Sequence, residues 1–260
     1  MDFRFQISDF RFSRLLAITI ILVFGLIRMP LEQRVSEEHR AAFFHGAQLN
    51  LDLRQQLGQM GFLAALSGFR AVVADMLWIE AHSAWERTEW GRMKLLFDAV
   101  TSLQPRCMMF WDMASWHMAW NASVAALYNK NQPREALRIK AQREYFQIGE
   151  DFILRGIQNN PDKGFMYEKA GTFYDQKMHD SCKAAAYFAK AATFPDSFPY
   201  VKRLAAFRLA ECPGHEREAY ERLVALYKMG KAEHVPTLFT KLRELQEKLS
   251  VPEEQRIYSP

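Results

Sequence analysis

The sequence predicts an all-α protein, and three observations carry that prediction. From Ser36 onward there is no convincing alternation of apolar and polar residues and no Asn-Gly or Asp-Gly hairpin turn. Apolar residues recur instead at spacings of three and four, the period of a helix with one buried face. The breaks fall at Ser67-Gly68, Gln104-Pro105, Asn131-Gln132-Pro133, Asn160-Pro161, Pro195, Pro213-Gly214 and Pro236, leaving pieces of helix or helix-turn-helix length.

The first element is an apolar run from Leu15 to Ile27, with Arg4, Arg11 and Arg14 before it and Arg28 and Pro30 after. As a helix those residues reach only ~20 Å, short of the ~30 Å hydrocarbon core of a bilayer. Adding Phe10, Phe12, Met29 and Leu31, with Arg14 and Arg28 snorkelling outward, lengthens the run to a span. No small-residue cleavage pattern follows in IRMPLEQRV, which argues for an uncleaved anchor rather than a signal peptide. Residues 1–35 are therefore expected to be a single-pass membrane anchor, its helix covering about residues 12–30. Arginines are nearly balanced on the two sides, since Arg28, Arg34 and Arg40 follow the run. An anchor so near the start inserts with its short tail in the cytoplasm, so the expected location is the cytoplasmic (inner) membrane, with the soluble part outside.

Residues 36–66 read as a helical connector, opened by Ser36 with acidic residues behind it. The next helix, in GFRAVVADMLWIEA, carries Arg70 and Asp75 among apolar residues. Burying either alone is costly, so an ion pair fixing the first helix pair is expected there, with Glu80 and Asp112 as further partners.

The clearest repeating unit is FMYEKAGTFYDQKMHDSCKAAAYFAKAATFP. Tyr167, Ala170, Gly171 and Tyr174 make its first helix, Ala184, Phe188 and Ala191 its second, and Pro195 ends it. Small residues let paired helices approach, and large ones fill the gap to the next pair. The order recurs upstream in Trp78, Ala81, His82 and Trp85, then Phe97, Val100 and Pro105, with a histidine at a small position. It recurs again in Trp111, Ala114, Ser115 and Met118, then Gly149, Ile153, Gly156 and Pro161, with about twenty residues inserted between the two helices. A degenerate fourth unit runs through Leu204, Ala205, Ala219, Leu223 and Leu226. This pattern resembles the tetratricopeptide repeat (TPR). The resemblance implies a TPR-like helix-turn-helix solenoid over residues 67–234, which binds other proteins. Residues 235–260 then form a capping helix and tail, with Val235, Leu238, Phe239, Leu242, Leu245 and Leu249 on one face. The stretch SGFRAVVADMLWIEAHSAW also resembles bacterial membrane-anchored proteins with TPR-like helices.

Composition limits the functions available. With 49% apolar and 25% charged residues, the 260-residue chain is that of a folded protein. A net charge of +4, spread through stretches such as LRIKAQREYFQIGED, offers no basic block for nucleic acid. Cys107, Cys182 and Cys212 form no CxxC pair, so neither a zinc site nor a disulfide framework is expected, only buried or idle thiols. There is no phosphate-binding glycine loop, no G-x-S-x-G and no H-E-x-x-H, so no enzyme and no catalytic residue is expected.

CMMFWDMASWHMAWN, residues 107–121, poses the one question of a cofactor, because His117 lies one helical turn from Met113. A lone histidine among apolar residues is more simply a hydrogen-bonded core residue, so no cofactor or metal is assigned. On a helical wheel Met109, Met113, Trp116, Trp120, Val124 and Leu127 share one stripe, expected to be packed inside, the other reading being an aromatic, Met-lined groove that receives a partner segment. Asp112, Ser115, Ala119 and Ser123 make a narrow small or polar sector. The expected function is a scaffold or adaptor in a cell-envelope complex, with His82, Asp112, Ser115 and Ala119 touching a partner protein. The alternative is an accessory structural subunit of a large membrane complex, with Trp90, Trp116 and Trp120 as buried anchors.

Overall fold

The computed structural model describes residues 68–258, together with residues 19, 20, 23, 24, 26, 27 and 30. Those seven N-terminal positions are helical, and Ile20, Val23, Phe24, Leu26 and Ile27 among them are exposed. The rest of the expected anchor and the whole connector, residues 36–66, lie outside the described residues. No helix among the described residues is long and apolar enough to cross a membrane.

Residues 68–258 hold nine helices, two short 3-10 turns and no strand. In chain order they are α1 (Arg70–Glu86), α2 (Trp90–Leu103), α3, α4 (Glu135–Asn159), α5, α6 (Ser181–Ala191), α7 (Tyr200–Leu209), α8 (Glu216–Lys228) and α9 (Pro236–Lys248). Two of them change pitch along their length. α3 runs as an α-helix over Met108–Trp116, as a π-helix over His117–Ala122 and again as an α-helix over Ser123–Leu127. α5 runs from Gly164–Phe173 into a π-helical Tyr174–Met178. The chain divides into two compact units, Met1–Phe110 and Trp111–Pro260.

In the first unit α1 packs on α2. Ala74, Val100, Leu103 and Phe110 are buried together, and Trp78 meets Phe97 and Phe110 at ring centroids 5.5 and 5.1 Å apart. An ion pair joins the first helix pair through Glu80 of α1, one of the candidates in the sequence, with Arg92 of α2 as its partner. Asp75 is exposed, so it carries no burial penalty. Arg92 also reaches Glu89 at 3.2 Å.

In the second unit each helix packs on its neighbours in sequence: α3 on α4, α4 on α5, and so on to α9, which also touches α7. The twenty-residue insertion expected between α3 and α4 is not a loop. α3 runs on to Leu127 and α4 begins at Glu135, so most of the extra residues lengthen the helices. Close crossings fall where small residues lie. A Cβ built on Gly149 of α4 would stand 2.7 Å from the Ala119 Cβ of α3. One on Gly171 of α5 would stand 2.6 Å from the Phe188 ring of α6.

Two buried clusters lie within this unit. Ala119, Ile153, Ala170, Phe173, Phe188 and Val201 belong to one, and Ala206, Leu223, Leu226, Leu238, Leu242 and Leu245 to the other. Around α7 a covalent and an ionic tie meet. Cys182, at the start of α6, is joined by a disulfide to Cys212, just past α7, which corrects the expectation of idle thiols. Single cysteines thirty residues apart carry no motif, and only the fold brings their Cα atoms to 4.9 Å. Beside Cys212 the Glu211 carboxylate receives Arg208 at 2.8 Å and Lys241 of α9 at 3.1 Å. Arg208 extends the chain of charges to Asp175 of α5 at 2.7 Å.

Candidate functional site

α3 gathers five of the seven residues singled out in the sequence: Asp112, Ser115, Trp116, Ala119 and Trp120. Its buried side is the reverse of the expected one. Ser115, Ala119 and Ser123 are buried along with Trp111, Ala114, Met118 and Ala122, whereas Met109, Trp116, Val124 and Tyr128 are exposed. The small sector is buried because it is small, since it lets α4 come within contact of α3 at Gly149. The larger Met109 and Trp116 side chains face outward, while Trp111 and Met118 are buried beside the small sector.

Ser115 and Ala119 are therefore taken up by intrachain packing, Ser115 being only 2% exposed. The Ser115 hydroxyl has no hydrogen-bond partner among the described residues. Ser123, equally buried, donates its hydroxyl to the Ala119 carbonyl at 2.6 Å. Asp112 is half-buried and pairs with Lys169 of α5 at 3.1 Å. Burial pushes the Asp112 carboxyl above its ordinary value, outweighing the downward pull of Lys169.

His117 is buried and lies 3.0 Å through Nδ1 from the amide nitrogen of Asn121, one turn on, with Trp116 edge-on to its ring at 4.9 Å. Among the described residues no group of three or more His, Cys, Asp or Glu is placed to share a metal ion. His82 and Trp90 stand in the first unit. His82 is exposed beside Trp85, 5.0 Å between rings, and Glu86, 3.9 Å away, while Trp90 opens α2 half-buried.

The exposed side of α3 owes its shape to the π segment. From Trp116 to Tyr128 the large residues stand four apart: Trp116, Trp120, Val124 and Tyr128. In an α-helix of ~3.6 residues per turn each such step advances ~40°, so the stripe would drift by ~120°. The π segment closes i→i+5 bonds, as from the Ser123 N–H to the Met118 carbonyl, and takes more than four residues per turn. It offsets much of that drift and keeps the side chains in line. Trp116 is 40% and Tyr128 72% exposed, large values for side chains of this size.

Trp120, in the same row, is half-buried against α5. Its ring centroid lies 6.2 Å from that of Phe173, and the Lys177 Nζ lies 4.7 Å above it. Lys177 is also 5.9 Å from the Phe146 ring of α4. Burial lowers the Lys177 pKa. Nearby, the Tyr174 hydroxyl donates to Glu150 at 2.5 Å, and burial first, then that bond, raises its pKa. Lys177 and Phe146 were missed in the sequence, where the residues after Tyr174 read as a polar turn. No local signal marks a lysine that ends up between rings of two other helices.

No family model, curated protein or solved structure matches the chain.

Proposed function

We infer that the protein is a membrane-anchored helical-repeat scaffold, which docks a partner protein of the cell envelope through the outward side of α3. The observation that carries the reading is the exposed row of Trp116, Val124 and Tyr128, opposite the small sector of α3 that is packed on α4. Exposed tryptophan and tyrosine in a contiguous row are the composition of interface hot spots. The TPR-like reading is supported by helices that follow one another in contact, with small residues at the tight crossings of Gly149 and Gly171. The contact set shifts toward the accessory-subunit alternative, because Ser115 and Ala119 are occupied within the chain while Trp116 and Trp120 are not closed over.

An anchor at about residues 12–30 holds the helices at the cytoplasmic membrane in this reading, on its outer side. The Cys182–Cys212 disulfide supports that side, since such bonds persist in oxidising compartments.

Affinity purification from detergent-solubilised membranes tests the scaffold. Wild-type protein is expected to retain a partner that Trp116→Ala and Val124→Asp variants lose at least tenfold. Equal retention by both variants would remove α3 as the docking face. Deleting residues 1–30 is expected to release the protein from membranes, and continued sedimentation with them would refute the anchor.

A further inference from the structure

Lys177 differs from Lys169 and Asp175 of the same helix, and from Glu168, which accepts from the Tyr200 hydroxyl. Lys169 and Asp175 each meet an opposite charge on a neighbouring helix, Asp112 and Arg208. Lys177 is half-buried over the Trp120 and Phe146 rings and meets no carboxylate among the described residues. A half-buried ammonium with only ring faces as neighbours keeps part of its electrostatic capacity unused. Arg143 stands one turn before Phe146 on the same side of α4, exposed and also without a carboxylate among the described residues. The surroundings are basic as well. Residues 128–146, from the end of the α3 row through the first half of α4, hold Lys130, Arg134, Arg138, Lys140 and Arg143 against only Glu135 and Glu144. Glu144 is itself drawn to Lys140, 3.9 Å away.

We propose that Trp116, Trp120, Val124 and Tyr128, with Lys177 over the Trp120 ring and Arg143 one turn before Phe146 on α4, dock an acidic amphipathic helix of a partner protein. The proposal rests on the docking reading above and adds the partner's chemistry. The row spans thirteen residues, twelve steps of ~1.5 Å or ~18 Å at the α-helical rise, which matches about three turns of a partner helix. No strand exists among the described residues to accept an extended peptide by edge pairing, so a helix laid along the row is the fitting mode. Its apolar side covers the rings, and its carboxylates meet Lys177 and Arg143. A discrete carboxylate suits Lys177 better than an anionic lipid surface does. The ammonium is held in one place between rings, whereas lipid headgroups are met by several freely reaching lysines.

Site-specific photocrosslinking in the full chain, within its native membranes, tests this. Val124→p-benzoylphenylalanine places the reactive group in the middle of the row, and mass spectrometry reads the captured segment. The expected adduct is a protein segment of net negative charge with apolar residues at helical spacing. Lys177→Glu is expected to lower its yield at least fivefold and Lys177→Arg to restore it, with circular dichroism showing both variants folded. A neutral or basic protein segment, or a yield indifferent to Lys177→Glu, overturns the acidic chemistry while the scaffold reading stands. Adducts to lipid alone, to a second copy of this chain, or to nothing overturn both.

Discussion

Ser115 shows how one residue's surroundings reverse its apparent meaning. In the sequence it is a polar residue in an apolar helix, the type that marks a contact with a partner. In the fold its hydroxyl is buried without a partner against the α3–α4 crossing. A buried hydroxyl that bonds nothing costs about 1–3 kcal/mol, and alanine fits the same space. Ser115→Ala is therefore expected to leave stability unchanged or raise it by about 1 kcal/mol, read from urea unfolding. A loss above that size would mean that the hydroxyl has a bonding role. The stripe through Trp116, Trp120 and Val124 was plain in the sequence, continued there by Leu127 rather than Tyr128, but its direction was not. A wheel turned at 100° per residue assumes an unbroken α-helix, and size, rather than polarity, decided which side α4 could approach.

At the scale of the element, most helices were legible because prolines and turn residues mark their ends. Pro236 starts α9 with Val235 extended before it, and Asp180 caps α6 by accepting the Lys183 N–H at 2.9 Å. Pitch changes leave no such mark. The π segments of α3 and α5, and the extension of α4 back to Glu135, follow from packing that single-residue propensities do not encode. The crossing of α3 and α4 gives the sharpest check on the pairing of helices. Gly149→Ala gains about 1 kcal/mol of helix propensity, yet its Cβ would stand 2.7 Å from the Ala119 Cβ, which is fixed to the backbone and cannot turn away. A net loss of about 1–2 kcal/mol in urea unfolding is expected, and a stabilised variant would show that the crossing is looser than described.

At the scale of the whole molecule, the ties around Glu211 govern how the C-terminal helices hold together. The disulfide closes a loop of 30 residues in the unfolded chain, a constraint of roughly 3.5 kcal/mol in the chain-entropy account. Cys182→Ser is expected to lower unfolding stability by about that amount, and reductant to have little further effect on the variant. A wild-type melt unmoved by reductant would contradict the bond. Acid acts on the same place. Burial raises the Glu211 pKa, but hydrogen bonds and charge from Arg208 and Lys241 overcome it and hold the carboxyl below its ordinary 4.5. The unfolded chain then binds the proton more readily than the folded one. Glu211's contribution is whole above the ordinary value and is lost as pH falls through the depressed one. Glu211→Gln is expected to flatten the fall in melting temperature between about pH 5 and pH 2.

The disulfide also has a consequence for how the protein is made. Three thiols allow three pairings, and two of them join Cys107 to the wrong partner. Cys107 packs against the buried cluster of Ala74, Val100, Leu103 and Phe110. It emerges during synthesis before Cys182 and Cys212, so α1 and α2 have time to shelter it before its rivals arrive. Correct oxidation then depends on folding order along the nascent chain. Cys107→Ser should raise the fraction of correctly bonded protein on rapid refolding, measured by alkylation and peptide mapping. It should matter little when the chain is oxidised slowly.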